Sequence, residues 1–176
     1  MSKKIGILGG TFDPPHKGHL IISKFSLKKL NLNHIIWAVT KKNPLKKKPM
    51  LPLDKRINLC KKIVGKLKKF KIKSYDNKIK SSETINLLKY LKKLDKNSEF
   101  YFLIGSDNLV NLHKWKNWRQ LAYNCRIAVF PRRGYVAKSM VSKAIKSIDN
   151  RNLIFLRSKM VNISSSKIRE NYLKYK

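Results

Sequence analysis

The chain of 176 residues has little of several features that define other classes of protein. It has two cysteines, Cys60 and Cys125, with no C-x-x-C pair and no histidine cluster beside them of the kind that holds zinc. No stretch approaches the about 20 apolar residues of a membrane helix, and the apolar run at 5–8 is too short for a signal peptide. These absences predict a reduced, cytoplasmic protein with no membrane partner.

Negative charge is also scarce, since nine acidic residues face 42 Lys and Arg and the formal net charge is +33. Charge of this size, taken alone, indicates a nucleic acid or an anionic membrane surface as the partner. The lysines are spread through almost every segment, however, and form neither a basic arm nor a basic stripe. That spread favours a solvated basic surface that attracts polyphosphate substrates, so no nucleic-acid partner is expected. A non-catalytic, basic nucleic-acid-binding protein is the alternative.

Strand and helix patterns alternate along the chain. Short β-branched and aromatic runs typical of buried strands lie at residues 5–8, 35–39, 70–75, 100–104, 127–130 and 153–156. Amphipathic helical spacing appears at 53–67 and 84–94. The alternation predicts an α/β fold, a Rossmann-like doubly wound parallel sheet of five or six strands with flanking helices, in a single domain spanning 1–176. Ligands of such sheets bind beyond the carboxyl ends of the strands, so motifs that directly follow a strand matter most.

The first motif, residues 9–19, has the sequence GGTFDPPHKGH and follows the first predicted strand. Its glycines let the backbone approach a ligand, and its two prolines hold the chain extended until a helix begins near His16. Free N–H groups and the positive dipole end of that helix suit a phosphate. His16 and His19 fall on one face of the first turn, where both can donate hydrogen bonds to phosphate oxygens. The motif is neither a P-loop nor a G-x-G-x-x-G fingerprint.

The second motif, residues 163–169, has the sequence ISSSKIR. Ser164 is placed to cap a helix, and the amides and hydroxyls that follow can form a nest for an anion. Arg169 adds a forked cation one turn later. Taken alone, the pattern also fits a capped, basic C-terminal helix that binds nothing.

A third segment, residues 105–118, follows the predicted strand at 100–104. Asp107 would lie at the carboxyl edge of the sheet, where its carboxylate can accept a hydrogen bond from a ribose hydroxyl. Trp115 and Trp118 offer an aromatic plane for a heterocycle, or they pack in the core. The basic, proline-punctuated loop at 41–52 is either a surface connection or a lid over a ligand.

The first and second motifs resemble the G-T-F-D-P-x-H-x-G-H and I-S-S-T-x-I-R signatures of the adenylyltransferase and cytidylyltransferase superfamily, with Ser166 where the family often has Thr. The resemblance implies transfer of a nucleoside monophosphate from a nucleoside triphosphate, with His16, His19 and Arg169 as catalytic residues. It also implies an ATP site that the helix from about residue 164 completes. The implied ATP-binding residues are Gly9, Gly10, Thr11, Phe12, His16, Gly18, His19, Lys46, Gly105, Asp107, Ile163, Ser164, Ser165, Ser166 and Arg169.

The third segment resembles the G-x-D-x-L…W-x-x-[WY] region of bacterial nicotinate-nucleotide adenylyltransferases. The resemblance implies that Trp115 stacks on the pyridine ring and that Thr84 and Asn43 contact the mononucleotide. In that family the loop after Asn43 often carries a histidine before its basic residue. Here Leu45 takes that position, so a phosphate contact from the loop rests on Lys46.

The implied reaction transfers the adenylyl group of ATP to nicotinate mononucleotide, giving nicotinate adenine dinucleotide and pyrophosphate in NAD biosynthesis. Mg²⁺ is expected as the ATP complex, with no metal ligands from the protein. Another nucleotidyltransferase of the superfamily, such as phosphopantetheine adenylyltransferase, is the nearest alternative. Nicotinamide mononucleotide stays open as an acceptor, and so does the oligomeric state.

Overall fold

The computed structural model describes residues 2–158 and 163–174. The strands of this part of the chain are β1 (Lys4–Gly10), β2 (His34–Val39), β3 (Phe70–Lys73), β4 (Glu99–Gly105), β5 (Arg126–Phe130) and β6 (Leu153–Phe155). Its α-helices are α1 (Lys17–Lys29), α2 (Leu53–Val64), α3 (Asp76–Ile79), α4 (Thr84–Leu94), α5 (Ser106–Asn111), α6 (Trp118–Asn124), α7 (Val136–Met140) and α8 (Ser165–Lys174). Short 3₁₀ turns lie at Leu112–Lys114, Ile145–Ser147 and Asn150–Asn152.

The six strands of the described residues form one parallel sheet in the order β3-β2-β1-β4-β5-β6. β1 is central, and Ile7 lies opposite Ile36 of β2 on one side and Phe102 of β4 on the other. The strand order reverses between β1 and β4, which makes the carboxyl ends of these two strands the topological switch point. The predicted doubly wound parallel sheet is confirmed.

Both faces of the sheet are buried because helices cover both. Along β4, Phe100 and Phe102 belong to one apolar cluster, while Tyr101 and Leu103 belong to the other. This alternation follows from the two-residue period of a strand. Helices α4 and α6 pack on the first face and α2 packs on the second, so the sheet edge with its strand ends is fixed from both sides.

The structure shortens three predicted elements, and the smallest change is in β6, which ends at Phe155 instead of residue 156. α2 ends at Val64 instead of residue 67, because Gly65 follows with a φ of 59° and its N–H bonds to the carbonyl of Lys61. Leu67, the last residue of the predicted helix, is 38% exposed. β3 ends at Lys73, so the predicted strand at 70–75 was two residues too long. Residues 41–52 contain neither helix nor strand, as predicted.

Among the described residues, no helix combines the length and the apolar character that crossing a membrane requires.

Candidate active site

The first motif joins β1 to α1, and His16 is the N-cap of that helix, with extended backbone dihedrals. The backbone N–H of His16 donates to Nδ1 of His19 at 3.2 Å, and the two ring centroids are 3.8 Å apart. Because Nδ1 of His19 accepts this bond, the neutral ring carries its proton on Nε2. The Nε2–H group of His19 is therefore available as a donor.

Both imidazoles are neutral at physiological pH. Burial, with a smaller contribution from the positive charge of Arg132, lowers the pKa of His16 to about 4. Burial also lowers the pKa of His19 to about 3, with smaller contributions from His16 and Arg132. Each ring thus offers one N–H donor to an anion, and positive charge at this position comes from the arginines.

Phe12 and Asp13 hold the turn of the first motif in place. Phe12 has a φ of 50° and stacks on Trp37 with ring centroids 5.1 Å apart. Its side chain is buried in the core, so a contact of Phe12 with ATP is restricted to its backbone. The buried carboxylate of Asp13 accepts from the backbone N–H groups of Met50 at 2.8 Å and Leu51 at 3.0 Å. The end of the 41–52 loop is thereby attached to the first motif.

The second motif lies directly against the first, although about 150 residues separate them in sequence. Ser164 caps α8 as predicted, since its Oγ accepts from the N–H of Lys167 at 3.2 Å. Ser165 Oγ donates to the carbonyl of Pro14 at 2.9 Å. Arg169 Nη1 donates to the carbonyl of Asp13. The imidazole pair and the guanidinium of Arg169 are therefore on the same side of the molecule.

Arg132, which the sequence analysis did not single out, links the third segment to the second motif. It follows the end of β5, and its backbone N–H donates to Ser106 Oγ at 2.9 Å. Its Nη1 donates to the carbonyl of Ile163 at 2.9 Å, and its Nε lies 3.9 Å from Asp107 Oδ1. A Cβ at Gly105 would overlap the Asp107 carboxylate, so glycine is what lets this side chain fold back on the strand end.

An open cleft lies beyond the carboxyl ends of β1, β2 and β4 and contains about 990 Å³ of space, part of it open to solvent. The three residues expected to contact the mononucleotide, Asn43, Thr84 and Trp115, all line the cleft. Gly9 and Gly10 line it too, so the first motif borders the same space.

The two tryptophans of the third segment have different environments. Trp115 is half-buried in the cleft wall, and its ring meets Phe102 edge to face with centroids 6.0 Å apart. Trp118 is buried in the core beside α4. Lys46 is exposed and does not belong to the cleft lining, so the predicted phosphate contact from the 41–52 loop has no support in the cleft itself.

Within residues 2–158 and 163–174, no group of three or more His, Cys, Asp and Glu side chains is arranged to hold a metal ion. The buried carboxylates near the site accept hydrogen bonds from protein donors instead, as Asp13 does.

Known proteins are similar to this chain in sequence and in fold. The sequence model of the cytidylyltransferase-like family matches residues 7–171. A Pelagibacter ubique protein named "Probable nicotinate-nucleotide adenylyltransferase" is 50% identical over 167 residues, covering 95% of this chain and 92% of its own. This chain belongs to the nicotinate-nucleotide adenylyltransferase family. A Clostridium novyi protein of the same name is 37% identical over 171 residues, covering 95% of this chain and 86% of its own.

A solved member of the nicotinate-nucleotide adenylyltransferase group supports the fold. The Plasmodium falciparum nicotinic acid mononucleotide adenylyltransferase, solved as a complex with NaAD, aligns with a TM-score of 0.72 at 23% identity. The alignment covers 96% of this chain and 83% of that one. The same enzyme has also been solved with APC. At this identity the likeness establishes the shared architecture, and the residue roles are argued from the geometry above.

Proposed function

We propose that this chain transfers the adenylyl group of ATP to nicotinate mononucleotide, forming nicotinate adenine dinucleotide and pyrophosphate in NAD biosynthesis. The observation that carries the proposal is the contact of the second motif with the first, through Ser165 and Arg169, beside a cleft lined by Thr84 and Trp115. The start of helix α1 and the cleft thereby border one another, as the transfer of a group between two substrates requires.

The reaction is an in-line displacement at the α-phosphorus of ATP. A phosphate oxygen of the mononucleotide forms the new P–O bond, while the bond to the oxygen that bridges to the β-phosphate breaks and pyrophosphate leaves. The attacking oxygen is already ionised, so no protein base has to remove a proton from it. The demands on the protein are positioning of the reactants and stabilisation of charge on the transferring and leaving groups.

The residues at the junction of the two motifs suit that task. His19 can donate from Nε2 to an oxygen of the triphosphate, since its Nδ1 is occupied by the backbone of His16. Arg169 supplies positive charge at the turn of the first motif, and its Nη2 is also 3.2 Å from Ser166 Oγ. We assign His16, His19 and Arg169 the catalytic roles. The helix α8 then completes the ATP site of one nucleotidyltransferase domain spanning 1–176.

Enzymes that transfer nucleotidyl groups use a divalent metal, and here we propose Mg²⁺ bound to ATP. Magnesium commonly binds through substrate phosphates with few protein ligands, and the described residues offer no cluster to hold it by themselves. Bound there, the ion neutralises phosphate charge. Asp13 is committed to the amides of Met50 and Leu51, so its part is to hold the loop.

The proposed substrates are ATP and nicotinate mononucleotide, and the proposed location is the cytoplasm. A panel of acceptors assayed with ATP by pyrophosphate release tests the substrate assignment. We expect the highest kcat/KM with nicotinate mononucleotide, less with nicotinamide mononucleotide, and no release with phosphopantetheine. Preference for phosphopantetheine would move the chain to another branch of the superfamily.

The high positive charge calls for a parallel test of nucleic-acid binding. A non-catalytic nucleic-acid-binding protein would bind RNA or DNA tightly at physiological salt, with a steep salt dependence, and would release no pyrophosphate. We expect the opposite result on both counts, because the two motifs are assembled into one site.

A further inference from the structure

Arg56 is a buried arginine outside the motifs, and it lies on α2 with its side chain 2% exposed. Its guanidinium donates to the backbone carbonyls of four residues that belong to three separate segments. Nε donates to Leu51 at 2.9 Å, Nη2 donates to Lys41 at 3.2 Å, and Nη1 donates to Thr40 at 2.8 Å and to Thr11. One side chain thereby joins the first motif, the carboxyl end of β2 and the end of the 41–52 loop.

The guanidinium keeps its charge in this position. Burial lowers the pKa of Arg56, and the nearby carboxylate of Asp13 opposes the change. An arginine starts from so high a pKa that it stays protonated at neutral pH. A charged group whose hydrogen bonds go to four main-chain carbonyls fixes backbone positions, and the planar fork of arginine suits this better than an ammonium group.

Asp76 binds the same two residues, which directly follow β2, and its carboxylate is the acceptor. It is buried, and its Oδ2 accepts from Thr40 Oγ1 and from the N–H of Lys41, both at 2.8 Å. The same oxygen accepts from Ser82 Oγ. Ser82 lies in the cleft wall two residues before Thr84, where α4 begins. Thr40 and Lys41 are thus bound through their carbonyls by Arg56 and through their donors by Asp76.

We propose that Arg56 and Asp76 are positioning residues that together fix the distance between the ATP site and the mononucleotide site. The connected path runs from Thr11 in the first motif through Arg56, the Thr40–Lys41 pair and Asp76 to Ser82 in the cleft wall. This inference rests on the proposed function. In an in-line transfer the two substrates must meet within a narrow range of distance and angle, and a displacement of about 1 Å costs up to about 100-fold in rate.

The path predicts a particular kinetic signature. Each substrate is bound mainly by residues of its own half of the site. Weakening the path between the halves should therefore lower kcat and leave the Kd of each substrate, measured alone, almost unchanged. We expect Arg56→Lys and Asp76→Asn each to lower kcat by ~10- to 100-fold. The Kd of ATP and the Kd of nicotinate mononucleotide, each measured alone by calorimetry, should stay within about threefold of wild type.

A matched control separates positioning from simple loss of stability. Val64→Ala removes packing from the far end of the same helix as Arg56, two turns away from the site. All variants are assayed at a temperature where circular dichroism shows a fully folded protein. Val64→Ala should then keep the wild-type kcat. If Arg56→Lys also keeps it, or if its loss of turnover follows entirely from a weaker Kd of one substrate, the positioning role is overturned.

A milder pair of variants covers the case in which the buried substitutions prevent folding. Ser82→Ala removes one donor to Asp76, whereas Ser82→Thr keeps the hydroxyl. We expect Ser82→Ala to lower kcat by about 3- to 10-fold with the Kd of ATP little changed, and Ser82→Thr to keep the wild-type kcat. Equal turnover of the two variants would contradict the path.

The double variant Arg56→Lys/Asp76→Asn tests whether the two residues act through one shared path. Both residues act on Thr40 and Lys41, so the combined loss in kcat should be close to the larger single loss. Losses that multiply would mean two independent effects and would overturn the shared path. If the wild-type protein is active and the variants keep its kcat, the path is refuted and the proposed function stands. If the wild-type protein releases no pyrophosphate, the proposed function and the path are both refuted.

Discussion

Lowering the pH tests the ionisation state of the two histidines in the first motif. In the folded protein burial holds the pKa of His16 at about 4 and that of His19 at about 3. In the unfolded chain a histidine titrates near about 6.5. Between these values the unfolded state binds more protons than the folded state, so the free energy of unfolding falls as the pH falls from about 6.5 toward 4.

The loss in free energy of unfolding can be worked out from the pH range below the unfolded pKa. Between pH 7.5 and pH 5.0, about 1.5 pH units lie below the pKa of a histidine in the unfolded chain. One unit corresponds to about 1.4 kcal/mol, so protonation of His16 in the unfolded chain lowers the free energy of unfolding by about 2 kcal/mol. Urea unfolding at the two pH values, followed by circular dichroism, measures it. We expect His16→Gln to lose about 2 kcal/mol less than wild type over this range.

Two comparisons make the result specific. His34 shifts in the same direction, because burial lowers its pKa too, but wild type and variant share it and it cancels in the difference. Lys17→Gln, an exposed change one residue along, should keep the wild-type pH dependence, since it leaves both imidazoles in place. If wild type and His16→Gln lose equal stability between pH 7.5 and 5.0, His16 is not buried as a neutral ring and the account of the first motif is wrong.

Three substitutions test the assigned roles directly. His19→Ala should lower kcat by ~100-fold or more without unfolding the protein, because it removes a donor aimed at developing charge, and near wild-type turnover would remove His19 from the mechanism. Trp115→Ala should raise the KM of the mononucleotide much more than that of ATP, whereas equal changes would assign Trp115 to the core. Gly105→Ala should raise the KM of ATP by about tenfold, because the new Cβ displaces the Asp107 carboxylate, and an unchanged KM would exclude Asp107 from the ATP site.

Much of the fold follows from local patterns in the sequence. The helix at 84–94 has the predicted bounds, because its apolar residues repeat at helical spacing up to the last turn. Each of the six predicted strands is present. The four inner strands are apolar runs buried on both faces, which admit few other structures, whereas the edge strands β3 and β6 are only partly buried. The boundary at α2 was missed because amphipathic spacing continues past Gly65, although its positive φ ends the helix there.

The residues that organise the site were harder to predict. Arg56 occupies the buried stripe of α2 together with Cys60 and Val64, and a lone charge in such a stripe was the available signal. Its partners are main-chain carbonyls from distant segments, and no sequence pattern marks those. Arg132 and Asp76 follow strands, but their importance depends on the second motif and on the Thr40–Lys41 pair, which only the folded chain brings near.

In the proposed reaction the two motifs bind one ATP molecule, and its α-phosphorus is transferred to the mononucleotide. Incubation of the protein with Mg²⁺, nicotinate mononucleotide and ATP labelled at the α-phosphorus, followed by chromatography of the products, tests it most directly. We predict that the label appears in nicotinate adenine dinucleotide, in equal amount to the pyrophosphate released, and that Arg169→Met abolishes both. Label recovered only as AMP, or pyrophosphate without labelled dinucleotide, would contradict the account.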